Sequence, residues 1–430
     1  MPPAGSDPPN DRPLGCLRVD LSARLESTTE IAGTADSDLI GAWPYLASSQ
    51  SCPPAGLATA HGNYEEIIIR IMPAPLDVTV GVDTHKDIHV AVAIDGLGRR
   101  LGQTDVSVSS SGYVELLDWS QRFGSVTAFG VEGTGSYGAG LARYLRAQGA
   151  NVIEVNRPDR ATRHRIGKSD PIDAEAAART ILAGTSTITP KDGDGHVEMI
   201  RILKIARDSA VKAQSQATNQ VKALIITAPP DLRESIQDLP RIALLERCAA
   251  LRTGSISTPL AATKHALRLL SRRALALRIE AKALSAQLSA LTAAACPALL
   301  EITGIGPDTA AALLITAGDN PDRLRSEAAF AALCGTNPIP ASSGKTSRHR
   351  LNRGGDRQAN AALHRAIVTR MHWDEPTKQY VEKRTAEGKT KPEIMRCLKR
   401  YLARQVYHCL VPTPAVKTAP RNLDQGLKAA

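Results

Sequence analysis

The sequence predicts an α/β domain with a mixed five-stranded sheet, an α-helical coiled-coil segment and a mainly helical C-terminal domain. Two runs of β-branched residues, 78–83 and 88–94, flank a short polar turn and indicate a pair of strands. Strand and helix signals then alternate as far as residue 184, which is typical of α/β proteins. From residue 197 onward, apolar residues recur at helical spacing instead.

The remaining elements of the α/β domain follow in a simple order. One more strand, a helix, a strand, a helix, a strand and a helix are expected after the first strand pair. The strands are predicted at 101–108, 126–131 and 151–155, and the helices at 112–122, 137–148 and about 171–184. Three consecutive strands followed by strands separated by helices favour a mixed sheet.

The middle of the chain is expected to be helical. A long helix is predicted over 197–226 and a shorter one over 239–251. A third begins at Pro259, after the cap candidates Ser257 and Thr258. It carries two apolar series with a seven-residue repeat, namely Leu270, Leu277, Leu284, Leu291 and Leu267, Ala274, Ala281, Leu288. Four heptads predict a coiled coil, formed either with a second chain or as a hairpin on the first long helix.

Composition changes along the chain predict five segments. Residues 1–75 are rich in Pro, Gly, Ser and Ala without periodicity, and are expected to be a disordered leader. Alternatively, translation starts at Met72 and the leader is a misassigned start. The other segments are an α/β domain, a helical segment, a C-terminal domain and a disordered tail, at 76–190, 191–296, 297–411 and 412–430.

Charge and composition exclude several classes of protein. The formal net charge is +10, and the segments 191–296 and 297–411 contribute +7 each. Such a basic field either attracts phosphate backbones as partners or simply reflects solvated Lys and Arg faces. Only 3% of residues are aromatic, which argues against extensive base stacking. No apolar run is long enough for a membrane helix, and no secretory signal is evident. Seven cysteines without a CxxC pair fit a reducing cytoplasm.

Four carboxylates of the α/β domain form a candidate metal site. Asp83 and Glu132 follow the first and fourth strands, and Asp170 and Asp173 open the last helix. In an RNase H-like layout these strands are neighbours, so their carboxyl ends bring both acids together. Residues three apart share a helix face, so Asp170 and Asp173 can join them. Four oxygen ligands suit two Mg²⁺ ions, which promote phosphoryl transfer.

Each of these acids also has a structural interpretation. Asp170 before Pro171 fits a helix cap, and Asp173 is then a favourable first-turn acid. Glu132 and Asp83 can simply belong to turns that follow strands. The joint arrangement favours the metal site.

Two motifs of the C-terminal domain suggest contact with phosphates. Gly304 and Gly306 lie in a turn between apolar helices, which resembles a helix-hairpin-helix motif whose backbone N–H groups approach a phosphate. The alternative is a plain turn between two helices. Ser342 and Ser343 lie in a loop within a segment, 336–370, that has seven basic residues and one acid. Its candidate phosphate-binding residues are Lys345, Arg348, Arg350, Arg353 and Arg357. The loop either binds phosphate without chemistry or supplies a nucleophile.

Taken together, these motifs give the chain a specific resemblance. The order Asp83, Glu132, KSDPIDA, heptads, LLEITGIGP and PASSGKTSRHRLNRGGDRQ resembles the DEDD-type insertion-sequence transposases, also called bridge-RNA-guided recombinases. The resemblance covers about residues 76–411.

The resemblance implies an RNase H-like domain in which Asp83, Glu132, Asp170 and Asp173 bind Mg²⁺. It implies that Ser342 or Ser343 attacks DNA and forms a phosphoserine intermediate, next to the carboxylates of a neighbouring subunit. The implied partners are donor and target DNA, a structured non-coding guide RNA, and further copies of the chain in a dimer or tetramer. A bacterial, nucleoid-associated protein is expected.

Two other functions share part of these features. A nuclease of the Holliday-junction resolvase type would use the acids with water as nucleophile and would not need the serine. A non-catalytic nucleic-acid-binding protein would use the acids only as caps and turns.

Overall fold

Five strands form one mixed sheet, in the order β3-β2-β1-β4-β5. The strands are β1 (Asp77–Thr84), β2 (Ile88–Asp95), β3 (Arg100–Ser107), β4 (Ser125–Glu132) and β5 (Val152–Val155). β1 pairs with β2, and β2 with β3, in antiparallel fashion, whereas β1–β4 and β4–β5 are parallel. The computed structural model describes residues 76–156, 169–346 and 349–411. The expected leader and tail, as well as Arg348, lie outside these residues.

Helices cover both faces of the sheet. They are α1 (Ser110–Gln121), α2 (Ala139–Ala147) and α3 (Asp170–Leu182). Leu116 and Leu141, on α1 and α2, share a core with Val80 of β1. On the opposite face, Ala174 of α3 packs against Val92 of β2. The predicted mixed sheet of five strands, with β1 and β4 adjacent at its centre, is therefore confirmed.

Glycine allows α3 to lie close to the central strands. A Cβ atom on Gly81 of β1 would lie 2.0 Å from the carbonyl oxygen of Ala174. A Cβ on Gly130 of β4 would lie 3.1 Å from the carbonyl oxygen of Ala177. Because side chains alternate along a strand, Asp83 and Glu132 point to this same face, two residues beyond these glycines.

The helical segment folds back on itself. It comprises α4 (His196–Ile226), α5 (Pro230–Glu234), α6 (Arg241–Ala249) and α7 (Pro259–Ala295). Val221, late in α4, shares a core with Leu267, early in α7, whereas Ile200 and Leu288 meet at the other end, so the two helices are antiparallel.

One heptad series accounts for this pairing. The series Leu267, Ala274, Ala281, Leu288 is buried, and it packs within the same chain. The helical hairpin with the first long helix, one of the two alternatives offered by the sequence, is thus present. The series Leu270, Leu277, Leu284, Leu291 is only partly buried, and pairing with a second chain stays a prediction.

The C-terminal part continues this helical core. Its helices are α8 (Pro297–Leu300), α9 (Pro307–Ala317), α10 (Glu327–Leu333), α11 (Arg357–Trp373), α12 (Glu375–Ala386) and α13 (Lys391–Leu410). Strands β6 (Pro338–Pro340) and β7 (His349–Leu351) form a hairpin. Within the described ranges, no helix is long and apolar enough to cross a membrane.

The segment that leaves the sheet is held against the C-terminal part. Lys191 donates from Nζ to the carbonyl oxygen of Ile315 at 2.6 Å. Arg323 donates to the carbonyl oxygen of Thr189 at 2.9 Å. Burial lowers the pKa of Lys191. These contacts tie the sheet to the helices at several points, while the predicted boundaries at 190 and 296 stay predictions.

Candidate active site

Two of the four predicted acids end adjacent parallel strands. Asp83 is next to last in β1, and Glu132 is last in β4. Their exposed fractions are 6% and 3%. The strand ends are joined because Thr84 donates from its hydroxyl to the carbonyl oxygen of Glu132 at 2.9 Å. The sheet thus places both acids at one edge.

The start of α3 brings the other two acids to the same edge. α3 crosses β1 at Gly81, where the N-terminal half of the helix lies on the strand. Asp170 and Asp173 are in its first turn, where the helix dipole favours negative charge. Asp173 is 3% exposed, whereas the side chain of Asp170 is about half exposed.

A histidine lies between two of these carboxylates. His85 Nε2 is 3.3 Å from Asp83 Oδ2 and 3.4 Å from Asp170 Oδ1. His85 follows β1 directly in the polar turn, so its position depends on the same strand end as that of Asp83. Sequence reasoning did not select this residue, although a histidine two residues after an acid at a strand end could have signalled it.

The donor atoms at this edge suit a divalent cation. Ligand atoms of Asp83, His85 and Asp170 all lie within 4.8 Å of one another. Carboxylate oxygens are the preferred ligands of Mg²⁺ and Mn²⁺, and histidine is a common metal ligand. The residues present therefore fit a metal site.

The two candidate serines occupy the loop of the β6–β7 hairpin. Ile339 pairs with Arg350 across the hairpin, and Ser343 and Thr346 exchange backbone hydrogen bonds of 3.1 and 3.0 Å. Gly344 has a φ of +52°, which a tight turn requires. Ser342 and Ser343 are exposed there. The structure thus presents both hydroxyl groups at a surface loop.

The base of this hairpin is fixed to the helical core. Asn352 donates from Nδ2 to the carbonyl oxygen of Ala332 at 2.9 Å, and Asp356 caps α11 through Gln358. Gly335 and Gly355 touch, and a Cβ on Gly355 would lie 2.2 Å from the nitrogen of Gly335. The loop is therefore exposed, but its base is anchored.

A basic cleft adjoins the hairpin. Its volume is about 1230 Å³, and it lies between the hairpin, α11 and α13. Its cationic lining combines Arg350, Arg353, Arg357, Arg365, Lys389, Arg396, Lys399 and Arg400. Within the described ranges, two carboxylates form ion pairs with this lining, Asp308 with Arg365 and Glu327 with Arg400. Most of the positive charge is therefore available to an anionic ligand.

Five of these eight cationic residues were absent from the sequence prediction. Arg350, Arg353 and Arg357 line the cleft, while Lys345 lies exposed in the hairpin loop. Arg396, Lys399 and Arg400 come from α13, where their spacing of three and four residues shows that they share a face. This spacing predicts a basic face on α13, but it does not show that this face meets the serine hairpin.

The electrostatics of the cleft favour phosphate. Lys399 donates to Asn360 Oδ1 at 2.9 Å, which fixes its ammonium group in the cleft wall. Burial and the nearby Arg396 lower the pKa of Lys399. A phosphate would relieve this crowding of positive charge.

The two glycines in the turn of the suggested helix-hairpin-helix motif have different surroundings. Gly304 has a φ of +85°, and a Cβ there would lie 2.7 Å from the carbonyl oxygen of Ala366 on α11. A Cβ on Gly306 would meet nothing within 4 Å. Gly304 thus serves close packing in this fold, whereas the space beside Gly306 is open, and phosphate binding at this turn stays a prediction.

Comparison with known proteins agrees with this architecture. Residues 80–229 match a family model described as transposase, for the DEDD transposases of IS110 type. Residues 296–382 match a second one, described as the transposase IS116/IS110/IS902 family. The first match spans the sheet with all four acids, and the second spans the serine hairpin.

Two proteins of Streptomyces coelicolor, strain A3(2), are similar to this chain. The mini-circle putative transposase for IS117 is 25% identical over 399 residues, covering 78% of this chain and 94% of that protein. An uncharacterised 43.6 kDa protein of insertion element IS110 is 36% identical over 123 residues, covering 28% of this chain and 30% of that protein.

A sheet edge rich in acids, a basic cleft and both family matches define a DNA transposase. The chain belongs to the IS110 family of insertion-sequence transposases.

Proposed function

We propose that this transposase cuts and rejoins DNA through a serine nucleophile assisted by divalent metal at the acidic edge of the sheet. The observation that carries the proposal is the exposed Ser342–Ser343 loop beside a basic cleft, in a chain that also clusters carboxylates at one sheet edge. A hydroxyl that attacks a phosphodiester must be accessible, and the phosphate must be held by cations.

In the proposed reaction, one serine oxygen forms a bond to the DNA phosphorus. The bond from phosphorus to one sugar oxygen breaks, and the proton lost by the serine reaches this oxygen by way of a base. The sugar oxygen thus leaves as a hydroxyl group, and no proton is gained or lost overall. A DNA hydroxyl group would then attack the phosphoserine, which rejoins the strand and releases the serine. Because the phosphoserine bond replaces the broken phosphodiester bond, rejoining would need no external energy source.

The carboxylates would hold the metal. Asp83 and Asp170 offer oxygen atoms next to each other, and the buried Glu132 and Asp173 lie at the same edge. When bound, Mg²⁺ or a similar ion would stabilise charge on the phosphate. The burial of Glu132 at the end of β4 and of Asp173 in the first turn of α3 supports a site that is preformed at this edge. Two ions remain part of the proposal.

The cleft would bind the DNA backbone. Arg353 and Arg357 on one wall and Arg396 and Lys399 on the other can contact successive phosphates. Such contacts position the strand without selecting its sequence. We therefore propose, from the family resemblance, that a structured guide RNA selects the donor and target DNA.

An oligomer would complete the site. Serine and carboxylates would come from neighbouring subunits of a dimer or tetramer, with helix α7 contributing to assembly. Mixing Asp83→Asn protein with Ser342→Ala/Ser343→Ala protein tests this idea. A composite site predicts restored joining, because some sites in mixed oligomers are intact. A site within one chain predicts that both variants stay inactive when mixed.

The decisive experiment traps the covalent intermediate. Purified full-length protein, Mg²⁺, junction DNA of the element and its flanking non-coding RNA are mixed, separated on a denaturing gel and analysed by mass spectrometry. We expect a DNA adduct on Ser342 or Ser343 that Asp83→Asn abolishes. Cleaved DNA without an adduct would contradict the serine mechanism and indicate a nuclease that uses water. Cleavage unaffected by omitting the RNA would contradict RNA guidance.

A further inference from the structure

His85 has a position that the four-acid site does not explain. Its Nε2 atom lies between Asp83 Oδ2 and Asp170 Oδ1, at 3.3 and 3.4 Å. Its side chain is about half exposed, so packing does not force it there. The surrounding groups are oxygen ligands of the proposed metal site, to which His85 would add a nitrogen.

The spacing of these three atoms resembles that of ligands on one metal ion. Adjacent ligands of an octahedral ion with bonds of about 2.1 Å lie about 3 Å apart. Both distances from Nε2 are close to this value, and both exceed the usual length of an N–H···O hydrogen bond. All three ligand atoms lie within 4.8 Å of one another, close to the separation of opposite ligands on such an ion. Small side-chain movements would place the three atoms around one ion.

We infer that His85 is a nitrogen ligand of the metal held by Asp83 and Asp170, and that this site consequently prefers Mn²⁺ to Mg²⁺. The inference rests on the proposed metal site and adds a ligand to it. Mg²⁺ strongly favours oxygen ligands, whereas imidazole favours transition metals. A site with mixed nitrogen and oxygen ligands therefore gains more with Mn²⁺ than with Mg²⁺.

The competing explanation is that His85 only pairs with the carboxylates. In that case a bound metal would displace the imidazole into solvent, where its exposure gives it room. The two explanations differ in one observable, namely a bond between the metal and a histidine nitrogen.

Pulsed electron paramagnetic resonance of Mn²⁺ bound to the full-length protein measures this bond directly. A coordinated nitrogen nucleus modulates the electron spin echo, and labelling of histidine with the heavier nitrogen isotope changes the modulation. We expect modulation in the parent protein and its loss in His85→Ala. The matched control is His372→Ala, an exposed histidine at the end of α11, which should keep it.

Calorimetric titration adds a second measurement. His85→Ala is expected to weaken Mn²⁺ binding by about tenfold or more and Mg²⁺ binding much less. His85→Asp, which replaces nitrogen by oxygen, should shift the preference toward Mg²⁺. Circular dichroism of each variant shows whether it is folded. If His85→Ala does not fold, His85→Asn serves as the second variant that removes the imidazole.

Failure of the inference can be distinguished from failure of the metal site. If Asp83→Asn leaves Mn²⁺ binding unchanged, the proposed metal site is wrong, and the inference fails with it. If binding depends on Asp83 but the echo lacks nitrogen modulation, or the modulation persists in His85→Ala, only the inference about His85 is wrong.

Discussion

The acidic edge of the sheet and the serine hairpin differ in how the fold holds them. Asp83, Glu132 and Asp173 are almost fully buried at the ends of regular elements. Ser342 and Ser343 are exposed in a loop between two strands of three residues each. The acids of the proposed metal site are therefore held by the core of the sheet, whereas both serine hydroxyl groups lie on the surface, where another molecule can reach them.

The largest expected effect comes from removing the two exposed serine hydroxyl groups. Ser342→Ala/Ser343→Ala should lower the rate of DNA joining by about a thousandfold or more, because the proposed nucleophile is lost. The melting temperature should hardly change, because exposed side chains contribute little to stability. Ser255→Ala, at an exposed loop position, is the control. Residual joining near the parent rate would show that neither serine attacks.

A change in the buried region should instead act through stability. Gly81→Ala places a Cβ 2.0 Å from the carbonyl oxygen of Ala174, so α3 must move away from β1. We expect the free energy of unfolding to fall by about 3 kcal/mol, measured by denaturant titration. Gly96→Ala, where a Cβ meets nothing within 4 Å, should change it by less than about 0.5 kcal/mol. Equal effects of both changes would disprove the close crossing.

The basic cleft should respond through salt dependence. Arg396→Ala should weaken DNA binding and lower the slope of log affinity against log salt by about 1, because one phosphate contact is lost. Fluorescence anisotropy at several salt concentrations measures this slope. Lys282→Ala removes an exposed positive charge on α7, outside the cleft, and should leave the slope unchanged. The same loss in both variants would mean that only net charge matters.

The smallest effect concerns a histidine beneath the acidic edge. His89 is fully buried and stacks on Tyr113, with ring centroids 6.0 Å apart. Burial, and then the nearby His85, lower its pKa below the ordinary value of 6.5. As the pH falls through 6.5, the unfolded chain therefore binds a proton before the folded one does, and stability decreases. Thermal unfolding at several pH values should show this decrease, and His89→Phe should reduce it. An unchanged pH dependence in His89→Phe would assign the decrease to other groups.

Much of the α/β domain could be predicted from local pattern. The five strands and the helix that starts at Asp170 lie within about two residues of their predicted bounds. Alternating apolar residues and a helix-start signal act over a few residues, so the sequence displays them directly. The short helix α5 (Pro230–Glu234) was not predicted, although it begins at a proline, which is common at the first position of a helix.

Long-range contacts were harder to predict. The heptads of α7 predicted a helix with an apolar face, but a repeat has the same form whether its partner is another chain or α4. Only three of the eight cationic residues of the cleft were predicted, and the missed Arg396 and Lys399 are separated from the serine loop by two helices. Exposed Lys and Arg side chains show no apolar periodicity in the sequence, so the pattern does not indicate which element they lie next to in the fold.

The sequence by itself determined the order of the elements and the carboxylates at their ends, because caps, turns and apolar periodicity are local. Only the tertiary structure placed His85 between Asp83 and Asp170 and joined α13 to the serine hairpin. The acids are 87 positions apart, so their approach depends on how α3 crosses the sheet at Gly81. This packing geometry arises from the whole core rather than from any single segment.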